Sequence, residues 1–518
     1  MALPSTEIIG FHWADYVVFT AVLVISAVIG LVSAVKHRRA TADQLLTGNR
    51  KLPLIPVTLS LTVSFISAVS ILGIPAEGYF NSTEYWLVGL GFIPAQIITC
   101  FLIMPVFYKL QLTSAYQYLE LRFNRIIRLM GSFTFIVEMV MYMAVAMYAP
   151  ALALMANLSM EVSILASGLV CTLYTALGGI RAVVWTDAFQ VVIILAGYLT
   201  LIVMGTRSVG GWSVVMDRAR EGDRFTWDLD MRPDPFIRHT FWTLFVGGTF
   251  ASLVVYASNQ AMLQRYLSVR NLKTARMTIL LHLPFSEVFL ALGMLSGLVM
   301  YAFYYGCDPL KLGILMPLFV LQTLGDYPGL PGLFVACIYS AALSTISSGV
   351  NSLAAVTLED FLRPWVDRVA GGRRSSRLHS VVTVVLALVY GLATIGLAYL
   401  AGILDSTILQ IAISILGMVG GPLLGLLIVG IFFPCINSWG AGVGLVCSLC
   451  VSLWVGVGAI LNTPPRRETF PRPNTLLCNV TDDVTNTTTV TYSLTSTESA
   501  LGLLNTTVLM SNSETSGR

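Results

Sequence analysis

The sequence predicts an all-α polytopic membrane protein, one integral bundle rather than a chain of soluble domains. Three observations carry this. Of 518 residues 56% are hydrophobic and only 11% charged, with mean hydropathy +0.79, whereas soluble domains are about 25% charged. Apolar runs long enough to cross a bilayer recur about twelve times. And one of them, within Pro331–Pro364, carries Ser340, Ser344, Thr345, Ser347, Ser348, Asn351 and Ser352 with no charge among them. A helix in hydrocarbon keeps hydroxyls at that density only where they face protein or water. Such oxygens are hard ligands suited to small cations. Helix packing through small residues is the competing reading.

The expected spans are Trp13–Val35, Leu54–Gly78, Trp86–Tyr108, Leu129–Met155, Val162–Leu177, Phe189–Met204, Phe241–Leu263, Met277–Tyr304, Gly332–Leu353, Val381–Leu400, Thr407–Phe433 and Gly440–Leu461. Lys and Arg gather after the first, third, fifth, seventh and ninth spans, Arg265 among them, which puts those loops in the cytoplasm and the N-terminus outside. No Lys or Arg is expected inside a span. The tail 462–518, rich in Ser, Thr and Asn, then lies outside, with glycosylation sequons at Asn479, Asn486 and Asn505. Asn81 and Asn157 also sit in sequons but lie too near spans to be used. Cys307 and Cys478 are the only cysteines placed outside, hence the plausible disulfide pair; Cys447 and Cys450 form a CxxC inside an apolar span, read as packing. The loop 205–238 is expected to cap the bundle, and 310–324 to hold a second exterior helix.

The second span is interrupted by Pro53, Pro56, Gly73, Pro75 and Gly78, and lined by Ser60, Thr62, Ser64, Ser67 and Ser70. The seventh carries Gly247-Gly248 near its middle and Asn259-Gln260 toward its inner end. Interrupted helices at matching places in two oppositely oriented groups of five spans point to a midplane site in secondary transporters. Simple tolerance of Gly and Pro in membrane helices is the alternative.

Long stretches carry a resemblance: LSLTVSFISAVSILGIPAE (59–77), LTSAYQYLELRFN (112–124), YTALGGIRAVVWTDAFQ (174–190), PDPFIRHTFWTL (233–244), NQAMLQRYLS (259–268), PGLPGLFVAC (328–337), LSTISSGVNSLAAVTLEDFLRPW (343–365) and ILGMVGGPLLGL (415–426). From about Leu45 to Val457 the chain resembles the sodium/solute symporter family, in its branch of multivitamin, monocarboxylate and iodide transporters. The resemblance implies a leucine-transporter-type fold, with two inverted five-helix repeats plus flanking helices. The expected divisions are a first span and cytoplasmic loop (1–53), first repeat (54–204), extracellular loop (205–240), second repeat (241–433), flanking span (434–461) and glycosylated tail (462–518). It implies a sodium site built from backbone oxygens of Val63, Ile66 and Ala341 and the hydroxyls of Ser344 and Thr345, with Asp187 at its inner mouth easing sodium exit. The substrate cavity would be lined by Ser64, Phe65, Ser70, Gly247, Gly248 and Gln410. Three departures stand out. The stretch after Cys307 is shorter than in relatives, Glu138 and Glu287 stand in spans where relatives usually carry Gln, and a thirteenth span is expected to be missing.

The function so implied is sodium-coupled import of small organic anions, foremost vitamins such as biotin, pantothenate and lipoate, by alternating access at the plasma membrane. A monocarboxylate or iodide symporter, or a sodium sensor or channel on the same fold, is the alternative. The expected partners are sodium, the anion and lipid, with no nucleic acid. An enzyme is not expected: the five histidines (12, 37, 239, 282 and 379) are scattered mostly near span ends and form no catalytic or metal constellation.

Overall fold

The structure, a computed structural model, describes residues 11–36, 41–154, 159–226, 230–234, 237–308, 315–369, 376–401 and 408–461. The tail with Asn479, Asn486 and Asn505, as well as Cys478 and Asn157, lies outside the described residues. Cys307 is disulfide-bonded.

Among the described residues every regular element is helical. In chain order the main ones are α1 (Trp13–Lys36), α2 (Leu54–Phe65), α3 (Ala68–Asn81), α4 (Thr83–Leu110), α5 (Arg125–Leu154), α6 (Met160–Val209), α7 (Trp212–Glu221), α8 (Trp242–Ser258), α9 (Gln260–Leu267), α10 (Leu272–Phe303), α11 (Leu315–Leu324), α12 (Leu330–Val369), α13 (Ser376–Ala401), α14 (Leu409–Phe432) and α15 (Ser438–Leu461). Among the described residues nine helices are long and apolar enough to cross a membrane singly, and the bent pair α2–α3 makes a tenth. α6, 50 residues long, folds at Gly179 and holds two of the expected spans; α8 is the short apolar helix of the seventh. Each expected span thus has a helical counterpart.

α12 lies at the centre, its apolar window 94% buried, and packs along α6, α5 and α1. That is why its run of hydroxyls is tolerated: many bond back to carbonyls three or four residues earlier, as Thr345 does to Ala341 and Ser352 to Gly349. α1 and α15 are the least buried spans and sit at the periphery. Asp15 anchors α1, its carboxylate accepting from the Gly329 and Gly332 amides at the start of α12.

The structure corrects the cause of the two interruptions. The bend of 58° between α2 and α3 falls at Ile66–Ser67, both extended, and not at any Gly or Pro. Gly73 and Pro75 lie inside α3 without breaking it. Gly73 instead allows close contact with Leu409, since a Cβ there would sit 2.6 Å from the Leu409 Cβ. Likewise α8 breaks at Asn259, extended (φ −79, ψ 122), whose side chain caps α9 by accepting from the Ala261 amide, while Gly247 and Gly248 remain helical. The fifth and sixth spans are divided by Gly179 alone (φ 59, ψ −162), a conformation reserved for glycine. α7 covers the bundle in the expected capping loop, where Arg224 is buried under Tyr301 and donates to the Tyr79 carbonyl at 2.7 Å.

Candidate transport site

The break after Phe65 is the origin of the site. Extended backbone at Ile66 and Ser67 removes the helical amides that the last α2 carbonyls would otherwise meet. Beside the break lies a cavity of about 570 Å³, lined by Ser64, Phe65, Ile66, Ser70, Gly247, Gly248, Thr345 and Gln410 among others. All six expected substrate-cavity residues therefore face one cavity, with Ile66 and Thr345 of the expected sodium set on its wall. Most of the rest is hydrocarbon or aromatic: Val69, Ile74, Val88, Phe92 and Leu290.

Its aromatic wall is held firmly. Phe65 stacks on Tyr256 with centroids 5.3 Å apart and meets Phe92 edge-on at 5.2 Å. Buried His282 bridges Thr62 of α2, 3.0 Å from its Nδ1, and the Tyr256 hydroxyl, 2.8 Å from its Nε2. The last turn of α2 is thereby tied to α8 through α10.

At one end of the cavity the hydroxyls of α2 and α12 converge. Ser64 Oγ lies 3.3 Å from Ser344 Oγ and 3.1 Å from Ser348 Oγ. Asp187 of α6 is fully buried against them, with Ser60 Oγ donating to its Oδ2 at 2.5 Å. Its Oδ1 has no hydrogen-bond partner among the described residues. An unpartnered buried carboxylate oxygen beside three serine hydroxyls suits a hard monovalent cation.

Here the sequence reading missed a residue. Arg265, counted as a cytoplasmic loop charge just past the seventh span, is instead 1% exposed on α9, buried against the helices of the bundle. Its Nη2 donates to Asp187 Oδ2 at 3.0 Å and also to Ser348, its Nε to Ser60 at 2.8 Å, and its Nη1 to the Ala261 carbonyl at 2.7 Å. One visible signal was its position six residues past the break at Asn259.

A second charged cluster, also missed, lines the same cavity at its other end. Arg238 grips Glu77 with two bonds of 2.6 and 2.7 Å, and His239 Nε2 lies 2.8 Å from the same carboxylate. Glu77 was in view as the last residue of a recognised stretch, but its partners lie over 150 residues away. Glu138 lines the cavity too, whereas Glu287 is not among its lining residues.

Comparison with known proteins agrees with this architecture. Residues 45–447 match the sodium:solute symporter family. The chain is 45% identical to the sodium-dependent multivitamin transporter of Oryctolagus cuniculus, covering 91% of this chain and 76% of that protein. It is 42% identical to the sodium-coupled monocarboxylate transporter 1 of Homo sapiens (92% and 79% covered) and 42% identical to the Homo sapiens sodium/iodide cotransporter (88% and 71%). A solved structure of a sodium-coupled sialic acid symporter, substrate-bound and outward-open, superposes with a TM-score of 0.77 at 26% identity over 88% of this chain and 94% of that one. Its fold is of the leucine-transporter type, with two inverted five-helix repeats and flanking helices, as expected. The chain belongs to the sodium:solute symporter family and is a sodium-coupled membrane symporter rather than an enzyme.

Proposed function

We propose that this symporter imports a small organic monoanion of the vitamin type, such as biotin, pantothenate or lipoate, across the plasma membrane. The carrying observation is the cavity itself. Its wall is chiefly hydrocarbon and aromatic, with scattered hydroxyls and amides, the Glu77–Arg238–His239 cluster and Glu138, which suits a carboxylate with a substantial apolar body. The 45% identity to a multivitamin transporter supports the same reading. A bare halide would leave the Phe65, Phe92 and Leu290 surface unused. The monocarboxylate reading stays in view because relatives of that name are 40–43% identical.

In this reading sodium binds between the Val63 and Ile66 carbonyls and the Ala341, Ser344 and Thr345 oxygens, beside the bound anion. Asp187 draws the ion inward and exchanges Arg265 for it on the way to the cytoplasm. Sodium supplies the driving force, each charge contributing about 2.3 kcal/mol per 100 mV. Radiolabelled uptake of biotin, pantothenate, lipoate, lactate and iodide, with sodium or choline outside, tests it. The expected result is saturable sodium-dependent uptake of the vitamin anions; uptake of iodide or lactate alone overturns the vitamin assignment.

A further inference from the structure

We propose that Glu138 is a proton-binding site opening onto the solute cavity, so that a proton and the organic anion bind together. The linkage rests on the anion reading above; the site itself rests on geometry. Glu138, on α5, is 1% exposed and lines the cavity, and neither of its carboxyl oxygens has a hydrogen-bond partner among the described residues. It lies against the π-helical turn Leu416–Gly420 of α14, which itself packs on the π-helical turn Val254–Ser258 of α8. A Cβ built on Gly420 would lie 3.0 Å from Glu138 Oε1 and 2.4 Å from Val254. π turns interrupt regular helix pairing and concentrate where a helix does functional work.

A proton is the occupant this geometry favours. A metal ion needs several oxygens around it. Among the described residues no group of three or more His, Cys, Asp and Glu is placed to hold a metal ion, and Val254, Gly420 and neighbouring Met139 offer Glu138 no further carboxylate or hydroxyl. One carboxylate suffices for a proton.

The other ionisable groups facing α5 are already engaged. From α3 comes Glu77, held by Arg238 and His239; from α6 Asp187, held by Arg265; from α12 Asp360, bonded to Arg128 and Ser132. From α13 comes Tyr390, bonded to Thr357; from the turn before Gln117 Tyr116, which donates to the Ser258 carbonyl at 2.9 Å; from the helix after it Glu120, paired with Arg128; from α12 also Glu359, paired with Arg363; and from α8 Tyr256, bonded to His282. α11 and α14 present no ionisable side chain over their described lengths, α15 presents only exposed Cys447 and Cys450, and α5 itself adds Tyr142 one turn on. An anion in the cavity and an ionised Glu138 would share one low-dielectric space and repel. Binding the anion therefore favours the proton on Glu138, and by reciprocity the proton favours the anion.

The test measures half-saturation for radiolabelled biotin against external pH, at saturating sodium and matched surface expression, for wild type, Glu138→Gln and Glu138→Asp. In the wild type it rises with pH, approaching about tenfold per unit where one proton is linked; Glu138→Asp keeps a slope and Glu138→Gln is flat. A Glu138→Gln chain with the wild-type slope overturns the linkage. Infrared difference titration of the purified protein in sodium, without organic anion, tests the site separately. A carboxylic-acid carbonyl band that titrates in the wild type and is missing in Glu138→Gln assigns the proton there, and identical spectra overturn it. If the wild type takes up none of the anions, the substrate reading falls while the infrared experiment still decides Glu138.

Discussion

Asp187 has two unlike oxygens: Oδ2 is crowded by Ser60, Ser64 and Arg265, while Oδ1 is buried without a partner. A guanidinium and a sodium ion would compete for such a group, which makes Arg265 and the Ser344–Thr345 pair the informative positions. Ser344→Ala with Thr345→Ala removes two hard oxygens and leaves the helix intact. We expect the sodium half-saturation to rise at least about tenfold, equivalent to about 1.4 kcal/mol, with surface expression retained; a wild-type value in sodium-titrated uptake would exclude these ligands. Arg265→Gln strips a buried carboxylate of its cation, a loss of about 3–5 kcal/mol for such pairs. Lower thermal stability and lost uptake should follow, and adding Asp187→Asn should restore stability without uptake. Unchanged melting of the single variant would mean the pair is not buried in the native protein. At this scale Ser344 and Thr345 were legible because hydroxyl density in an apolar run is a local signal. Arg265 was not, because a cation just beyond a span reads as a topology signal until the fold carries it back under Asp187.

The helices were legible wherever hydrophobicity alone decides, and their breaks were misplaced where tertiary contacts decide. Pro75 and Gly73 look like breakers, yet α3 runs through them, packed at Gly73 on Leu409 and with the Pro75 carbonyl close to Gly297. Ile66 and Ser67 carry no breaker signal. Their extended backbone follows a turn whose end is fixed from outside, by the Phe65–Tyr256 stack and by the His282 bridge to Thr62. Nearest-neighbour preference has no access to partners some 200 positions away. Gly179 is the opposite case, a break that a single glycine does make. Its φ of 59° lies where side chains strain, and an added Cβ would stand 2.6 Å from the Leu45 carbonyl oxygen. Gly179→Ala should cost about 1–3 kcal/mol in backbone strain, before the clash. We expect reduced surface expression and a lower melting temperature; expression equal to the wild type would show that α6 turns elsewhere.

Across the whole molecule we propose that the two charged clusters mark opposite ends of one path. Glu77, Arg238 and His239 line the cavity and adjoin the loop that carries α7, while Asp187 and Arg265 pack against Ser348 of α12. Alternating access requires each cluster to part while the other holds, so assigning sides to the ends also assigns the direction of transport. Lys and Arg counts lead us to propose that the stretch 363–377 is cytoplasmic and the loop 205–240 outside, which would make Arg238–Glu77 the outer closure and Arg265–Asp187 the inner one. The assignment depends on α6 crossing twice and on α2–α3 and α8–α9 each crossing once, since any miscounted break reverses everything after it. An epitope inserted after Met231, which is 55% exposed, should bind antibody on intact cells. The same epitope inserted between Gly371 and Gly372 should be reached only after permeabilisation. If both insertions stain intact cells, or neither does, one of the broken elements does not cross as counted, and the closure at Asp187 could not be the one through which sodium leaves to the cytoplasm.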